Sequence, residues 1–359
     1  MLWIWAMNRR TLFRSLAATL GLGTVGGTVA ACVADRRNPY YQGPVSDHFD
    51  GTRFFNPNGA APRGFRDLLR WRFGDPPAKW PDKVPLADPA RPAARVEDMT
   101  VTMVGHASLL IQMQGVNILT DPVWSERASP LSFAGPKRVV APGIPFDALP
   151  PIDHVLLSHN HYDHLDLDTL KRLKAVHDPH VVTPLGNDTI LAPTGLRCRA
   201  MDWAEQARLG PLGVECVPSH HWSARGAGDR SMALWGGFLL RGAVGALLFI
   251  GDTGFDGGRP YRDLPGRSGP IRAALLPIGA YDPRWFMAEQ HQNPDEAVQG
   301  LKLCGAAYGI GHHWGTIQLT NEAREAPARA LELALARHRL AQDRFRALRP
   351  GEAWAIPPI

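Results

Sequence analysis

The stretch Val155-Leu156-Leu157-Ser158-His159-Asn160-His161-Tyr162-Asp163-His164 decides how the rest of this chain is read. Its apolar opening reads as a buried strand, so three imidazoles and a carboxylate sit where that strand ends and the chain turns. Neutral imidazole nitrogen and carboxylate oxygen suit hard-to-borderline divalent metals, and a cluster without cysteine points to hydrolysis rather than to a thiolate-rich structural site. One tetrahedral ion cannot use all four groups and keep a position open for water, but two ions can share them. His159 and His161, two apart in an extended segment, project to one side and can chelate one ion. Asp163 and His164, beyond the bend, can reach a second.

Working outward, the same device recurs. Apolar strand-like runs end in Ser219-His220-His221-Trp222, in Gly251-Asp252-Thr253 and in His312-His313-Trp314. Neighbouring strand residues face opposite ways, so one histidine of each pair can enter a site, and alternation does not say which. Before the cluster, 100–104, 109–113 and 117–120 read as consecutive strands. Asp121-Pro122 ends the third with an acid placed to orient a metal-bound histidine. Helix-like 165–176 and strand-like 180–183 follow, a β-α-β alternation that makes the chain α/β (α+β).

A chain of 359 residues, 45% of them hydrophobic, can bury a large core. Residues 1–31 read as a removable export signal: Arg9-Arg10 precede an uncharged, mildly apolar stretch ending Val29-Ala30-Ala31-Cys32. Loss of their three arginines takes the formal charge from +5 to +2, which gives no reason to invoke nucleic acid. Cys198, Cys216 and Cys304 do not make a disulfide framework, and buried thiols are the reading preferred over a Cys198–Cys216 pair.

Residues 32–98 read as an N-terminal extension, aromatic and proline-punctuated, that buries Trp71 and Trp80 against the following domain, 99–359. Near the end, 322–348 reads as one long helix with Leu331, Leu335 and Leu340 on its buried stripe, and 352–356 as a last strand.

The ordered pattern of His-x-His-x-Asp-His, one histidine, Gly-Asp and a final histidine resembles the metallo-β-lactamase superfamily, a four-layer αββα sandwich. Longer segments are similar to the N-acyl-phosphatidylethanolamine-hydrolysing phospholipase D family, including its bacterial envelope members of the RomA kind. They are Ser125-Glu126-Arg127-Ala128-Ser129-Pro130, Gly135-Pro136-Lys137-Arg138, Leu234-Trp235-Gly236-Gly237-Phe238, residues 279–287, and His313-Trp314-Gly315-Thr316. The resemblance implies two Zn2+ ions, with other divalent metals admissible. His159, His161 and His221 would hold the first ion, Asp163, His164 and His313 the second, with Asp252 bridging. The family's ligand precedes tryptophan, which selects His221 and His313 from their pairs. The implied reaction is phospholipase D-type hydrolysis of N-acyl-phosphatidylethanolamine-like lipids to N-acylethanolamine and phosphatidic acid by a metal-bridging hydroxide. Asp163, Asp252 and His291 would be its catalytic groups. Lys137 and Arg138 are candidates to meet a lipid phosphate, and Arg284 and Trp285 to shape the entrance.

The N-terminus resembles a twin-arginine signal with a lipobox, implying lipidation at Cys32, membrane anchoring and a periplasmic-side envelope location. Family members can also be homodimers. Two other readings stand beside this one: a metal-dependent lactonase or ester hydrolase on the same fold, and an envelope protein whose role in permeability is structural.

Overall fold

Period-two alternation of apolar side chains builds two sheets that share one core. The computed structural model describes residues 37–60 and 63–359, so the signal 1–31 and Cys32 lie outside the described residues. One sheet runs β14-β1-β2-β3-β4-β5-β6, from β1 (Met99–Gly105), β2 (Ser108–Met113), β3 (Val116–Thr120), β4 (His154–Leu156), β5 (His180–Pro184), β6 (Cys198–Met201) and β14 (Ala353–Ala355). The other runs β13-β12-β11-β10-β9-β8-β7, from β7 (Gln206–Leu209), β8 (Leu212–Val217), β9 (Gly237–Gly242), β10 (Gly245–Phe249), β11 (Ile271–Pro277), β12 (Tyr308–His312) and β13 (Phe345–Arg346). Each sheet is antiparallel along one half and parallel along the other.

Val101, Met103, Leu109, Ile111 and Leu156 face Val214, Phe238, Leu247, Phe249 and Leu275 across the space between the sheets. The alternate residues turn outward under helices. Val104, Leu110, Leu119 and Val155 pack on Leu170 and Leu173 of α2 (Leu167–Val176). Leu239, Leu248 and Leu276 pack on α3 (Pro294–Leu303) and α4 (Ala326–Arg337). The result is the four-layer αββα sandwich. Local chemistry starts the helices where packing needs them. The Asp166 carboxylate accepts the amides of Asp168 and Thr169 at the head of α2, and Asn293 and Glu296 form a capping box around Pro294 at the head of α3.

The extension packs inward, as its aromatic content requires. Phe49 and Phe54 join Leu234 and Trp235 in a separate cluster. Between the prolines it also forms α1 (Phe65–Phe73), where the sequence suggested no helix, and Trp71 of α1 stacks on Phe286 at 5.0 Å. Trp80 donates its indole N–H to the Glu322 carbonyl. Cys198, Cys216 and Cys304 are free thiols.

One expected element is shorter than its apolar pattern. The helix expected over 322–348 is α4 alone, ending at Arg337; Arg339 adopts φ +56° and the Leu340 amide turns back to the Leu335 carbonyl. Leu340 and Ala347 still pack on the same core from the segment that follows. The stripe is continuous in space, while the helix is not.

Candidate metal centre

Apart from His291, which lies just before α3, the side chains of the centre stand beyond the carboxyl ends of strands: His106 after β1, Asp121 after β3, the 159–164 segment after β4, His221 after β8, Asp252 after β10 and His313 after β12. Gly251, at φ +66°, makes the turn that delivers Asp252, and a Cβ there would lie 2.7 Å from the Ser158 Cβ.

Two groups converge. In the first, His161 Nδ1 lies 2.8 Å from His159 Nε2 and 3.3 Å from His221 Nε2. In the second, Asp163 Oδ2 lies 3.3 Å from His164 Nε2 and 3.2 Å from His313 Nε2. Asp252 faces both, its Oδ2 being 3.0 Å from His313 Nε2, 3.3 Å from His164 Nε2 and 3.8 Å from His221 Nε2. His291 Nδ1 is 3.7 Å from the same oxygen. His220 and His312 turn away. His220 pairs with Asp256 at 3.0 Å, and His312 is buried beside Phe249.

An outer layer holds the rings in place. Asp121 Oδ2 lies 2.6 Å from His164 Nδ1 and accepts the Ser158 hydroxyl at 2.6 Å, and that hydroxyl oxygen lies 2.9 Å from His159 Nδ1. His221 Nδ1 lies 2.9 Å from the Gln290 carbonyl, which leaves Nε2 as the free lone pair. Arg225 donates to the carbonyls of Asn160 and Leu165 and stacks on Tyr162, closing the histidine loop at both ends.

The electrostatics divides the imidazoles. Burial, reinforced by neighbouring imidazoles, holds His159 well below its usual range. Burial also depresses His161 to about 3 and His221 to about 3, against the pull of Asp163 and Asp252. They are neutral donors. Burial would also lower His164 and His313, but the carboxylates of Asp252 and Asp163 overcome it, lifting His164 well above its usual range and His313 to about 9. For the two acids burial acts upward and is outweighed: His164 and the bonds from His106 and His313 hold Asp163 well below the carboxylate range, and His313 with His164 does the same for Asp252. Positive charge is therefore demanded beside these carboxylates, and a divalent ion bound there would take over the charge of the two protons. His161 Nε2, His164 Nε2 and Asp252 Oδ1 are buried without a hydrogen-bond partner. The donor set fits divalent metal ions.

Asp163, His161, Asp252 and His291 face a cavity otherwise walled mainly by apolar groups, among them Pro130, Pro136, Trp222, Met287 and Leu319. No lysine or arginine among the described residues lines it. The four candidate substrate contacts, Lys137, Arg138, Arg284 and Trp285, are not among its lining residues. Lys137 pairs with Glu126 on the surface at 2.6 Å. Arg138 is buried, donating to the Val140 and Val123 carbonyls, and burial lowers it to about 10. Arg284 binds Glu296 and the His291 carbonyl, and Trp285 lies under Arg70. The first two are fixed by local geometry that a charge count cannot show, and Arg284 acts on His291 from behind.

His106 escaped the sequence reading. Its Nε2 lies 2.9 Å from Asp163 Oδ2, where an ionised carboxylate can only accept, and its ring centroid is 4.0 Å from that of His313, the rings tilted by 46°. The signal was present in Gly105-His106 at the end of β1, where φ +58° turns the chain. His106→Ala is expected to weaken divalent-metal binding at the Asp163 group by 10–100-fold with the fold retained, as chelator competition would measure. His106→Gln, which keeps a donor, should recover most of it.

Paired sheets with a histidine and aspartate centre at one edge define a metal-dependent hydrolase of the metallo-β-lactamase fold. Residues 116–314 match the family described as Beta-lactamase superfamily domain. The chain belongs to that superfamily. It is 39% identical over 267 residues to N-acyl-phosphatidylethanolamine-hydrolyzing phospholipase D 1 of Caenorhabditis elegans, covering 70% of this chain and 74% of that protein. It is 31% identical over 238 residues to the mitochondrial N-acyl-phosphatidylethanolamine-hydrolyzing phospholipase D of Saccharomyces cerevisiae, covering 65% of this chain and 51% of that protein. In structure it is similar to an isothiocyanate hydrolase from Delia radicum gut bacteria, with TM-score 0.57 and 22% identity over 72% of this chain and 99% of that one, a likeness of fold.

Proposed function

We propose that this hydrolase is a zinc-dependent phosphodiesterase of phospholipase D type, cleaving N-acyl-phosphatidylethanolamine-like lipids to N-acylethanolamine and phosphatidic acid. The observation that carries the reading is Asp252, set between two imidazole groups and lining a largely apolar cavity that no lysine or arginine among the described residues lines. Such a floor leaves the charge of a phosphodiester to be met by metal, while the walls accept a lipid chain. His159, His161 and His221 would hold one ion, and Asp163, His164 and His313 the other, with Asp252 between them. Bound there, two divalent ions supply Lewis acidity and activate water at neutral pH.

The chain's own groups do the rest. The Gln290 carbonyl and the Asp121-Ser158 pair fix the rings, and Asp163, oriented by His106, offers its carboxylate beside the reacting water. His291, which burial holds well below its usual range, is neutral and can donate an N–H hydrogen bond to the departing alkoxide. Water oxygen becomes bonded to phosphorus as the bond to the ethanolamine oxygen breaks, and the proton given up by the water ends on that oxygen, so phosphatidic acid and N-acylethanolamine balance the lipid and water consumed. The likeness to two phospholipases D supports this substrate class. The twin-arginine and lipobox-like residues support an envelope location with a lipid anchor at Cys32. Among the described residues no helix is long and apolar enough to cross a membrane.

Zinc-loaded protein incubated with N-acyl-phosphatidylethanolamine in 18O-labelled water is expected to place the label in phosphatidic acid and none in N-acylethanolamine, read by mass spectrometry. An intact phosphodiester beside rapid opening of lactones or carboxylic esters would overturn the proposal.

A further inference from the structure

A second cavity backs onto the metal centre. Its volume is about 400 Å3, within the range of small-molecule sites. Trp222 and Gln290 line both this cavity and the one that Asp252 lines, and so stand between them. The Trp222 ring lies 4.5 Å from that of His161, and the Gln290 carbonyl is the group that fixes His221. Phe55, Trp222, Trp235 and Phe286 give the second cavity an apolar wall. The remainder is polar and carries more cation than acid: among the described residues Arg63 and Arg230 line it against one carboxylate, Glu289. His220, the histidine of its pair that the metal centre leaves out, lines it too, with Nδ1 taken by Asp256 at 3.0 Å.

Arg230 is the group without a counterpart. Its guanidinium carbon stands 3.9 Å over the Trp222 ring, and its Nε is buried with no hydrogen-bond partner. The charge that acts on it is another cation, Arg53, whose Nη1 donates to the Arg230 carbonyl, and burial together with that cation lowers Arg230 to about 10. Arg225 shows what a purely structural arginine does in the same loop: it stacks on Tyr162 and also donates to two backbone carbonyls. Arg230 stacks in the same way, yet among the described residues its guanidinium donates to nothing. An aromatic face offsets part of the cost of withdrawing a cation from water, and an anion would offset the rest.

We infer that this second cavity binds a small organic acid, its carboxylate on the Arg230 guanidinium and its apolar body against the aromatic wall. The paired N–H groups of a guanidinium match the two oxygens of a carboxylate. Two cations less one acid leave a single positive charge, which suits a monoanion. The inference does not depend on what the metal centre hydrolyses, because Trp222 and Gln290 separate the two cavities.

Benzoate is the probe, and benzamide, alike in shape but uncharged, is its control; each is titrated by calorimetry into the zinc-loaded, full-length protein. Benzoate is expected to bind at least about tenfold more tightly than benzamide. Arg230→Met, which keeps an apolar stem on Trp222 and removes the charge, should weaken benzoate about tenfold. Arg63→Ser, at an exposed position, should weaken it roughly threefold at low salt. Benzoate held equally by the parent and both variants overturns the inference and assigns the anion to the metal ions. Benzamide bound as tightly as benzoate overturns it as well, and so does a parent protein that binds neither. If Arg230→Met does not fold, Arg63→Ser decides alone, and an unchanged benzoate affinity there overturns the site.

Discussion

Asp252→Ala is expected to reduce hydrolysis by more than about a thousandfold and to leave the folded chain with fewer than two tightly bound divalent ions. Partners that merely orient a ligand already contribute factors of 10–100, and Asp252 does more than orient. Its Oδ2 is within 3.3 Å of both His164 and His313 and 3.8 Å from His221, so one carboxylate serves both groups. Without it, His164 and His313 lose the strongest of the charges that raise their pKa, leaving Asp163 to face both rings and Asp121 to face His164 alone. Two buried imidazoliums that share only the Asp163 carboxylate are a poor arrangement, so the rings are expected to shed protons rather than unfold the chain. Asp252→Asn separates charge from shape. It keeps the side-chain volume and an oxygen acceptor, and should retain the fold while losing most activity. Metal content after gel filtration, read beside turnover, checks both variants. An Asp252→Ala protein that keeps two ions and a tenth of the activity would remove Asp252 from the centre.

Much of this centre was legible because it follows one rule, a metal-binding side chain set just past the end of an apolar strand. The rule marked Asp163, His164 and Asp252, and one histidine in each of the pairs His220-His221 and His312-His313, without any knowledge of how distant strands pair; the choice of His221 and His313 came from the family resemblance. It also placed Asp121 beside a histidine, which turns out to be His164. The same rule reaches His106, whose signal is weak because one histidine in Gly105-His106-Ala107 has no dense neighbourhood to mark it. Arg225 could not be found this way. Its role depends on two backbone carbonyls, and carbonyls leave no trace in sequence. Lys137, Arg138, Arg284 and Trp285 do not line the cavity for a related reason: charge and a family-like segment say nothing about which local partner takes a side chain up. The overlong C-terminal helix shows the limit of periodicity. Leu340 continues the buried stripe of Leu331 and Leu335 from beyond a left-handed turn, so the pattern of burial outlasts the element that began it.

The chelated chain is expected to be most stable near pH 6.5 and to lose stability on both sides, whereas the metal-loaded chain should hold its stability from pH 6.5 to 9. The acid side follows from the depressed histidines. Burial lowers His106 to about 4, His161 to about 3 and His221 to about 3, while an unfolded histidine titrates near 6.5. Below pH 6.5 the unfolded chain therefore binds protons that the fold refuses, and stability falls with pH. At pH 5 each of the three contributes a loss of about 2 kcal/mol. Together they approach the whole stability of an ordinary domain, roughly 5–15 kcal/mol. The alkaline side has the opposite sign. His313, lifted to about 9 by Asp252 and Asp163 against its burial, stabilises the fold fully below pH 6.5. That contribution, about 3 kcal/mol, is lost as pH rises through 9. His164, raised for the same reason, adds to it. The two carboxylates, held low, titrate below this window and leave it unaffected. Bound ions would replace the protons on His164 and His313, so loading removes the alkaline loss and raises stability throughout by mass action. Urea midpoints at pH 5, 6.5 and 9, with chelator and with zinc, give the comparison. A chelated midpoint that climbs from pH 6.5 to 5 would mean that His161 and His221 accept protons inside the fold, which neutral imidazole ligands cannot do.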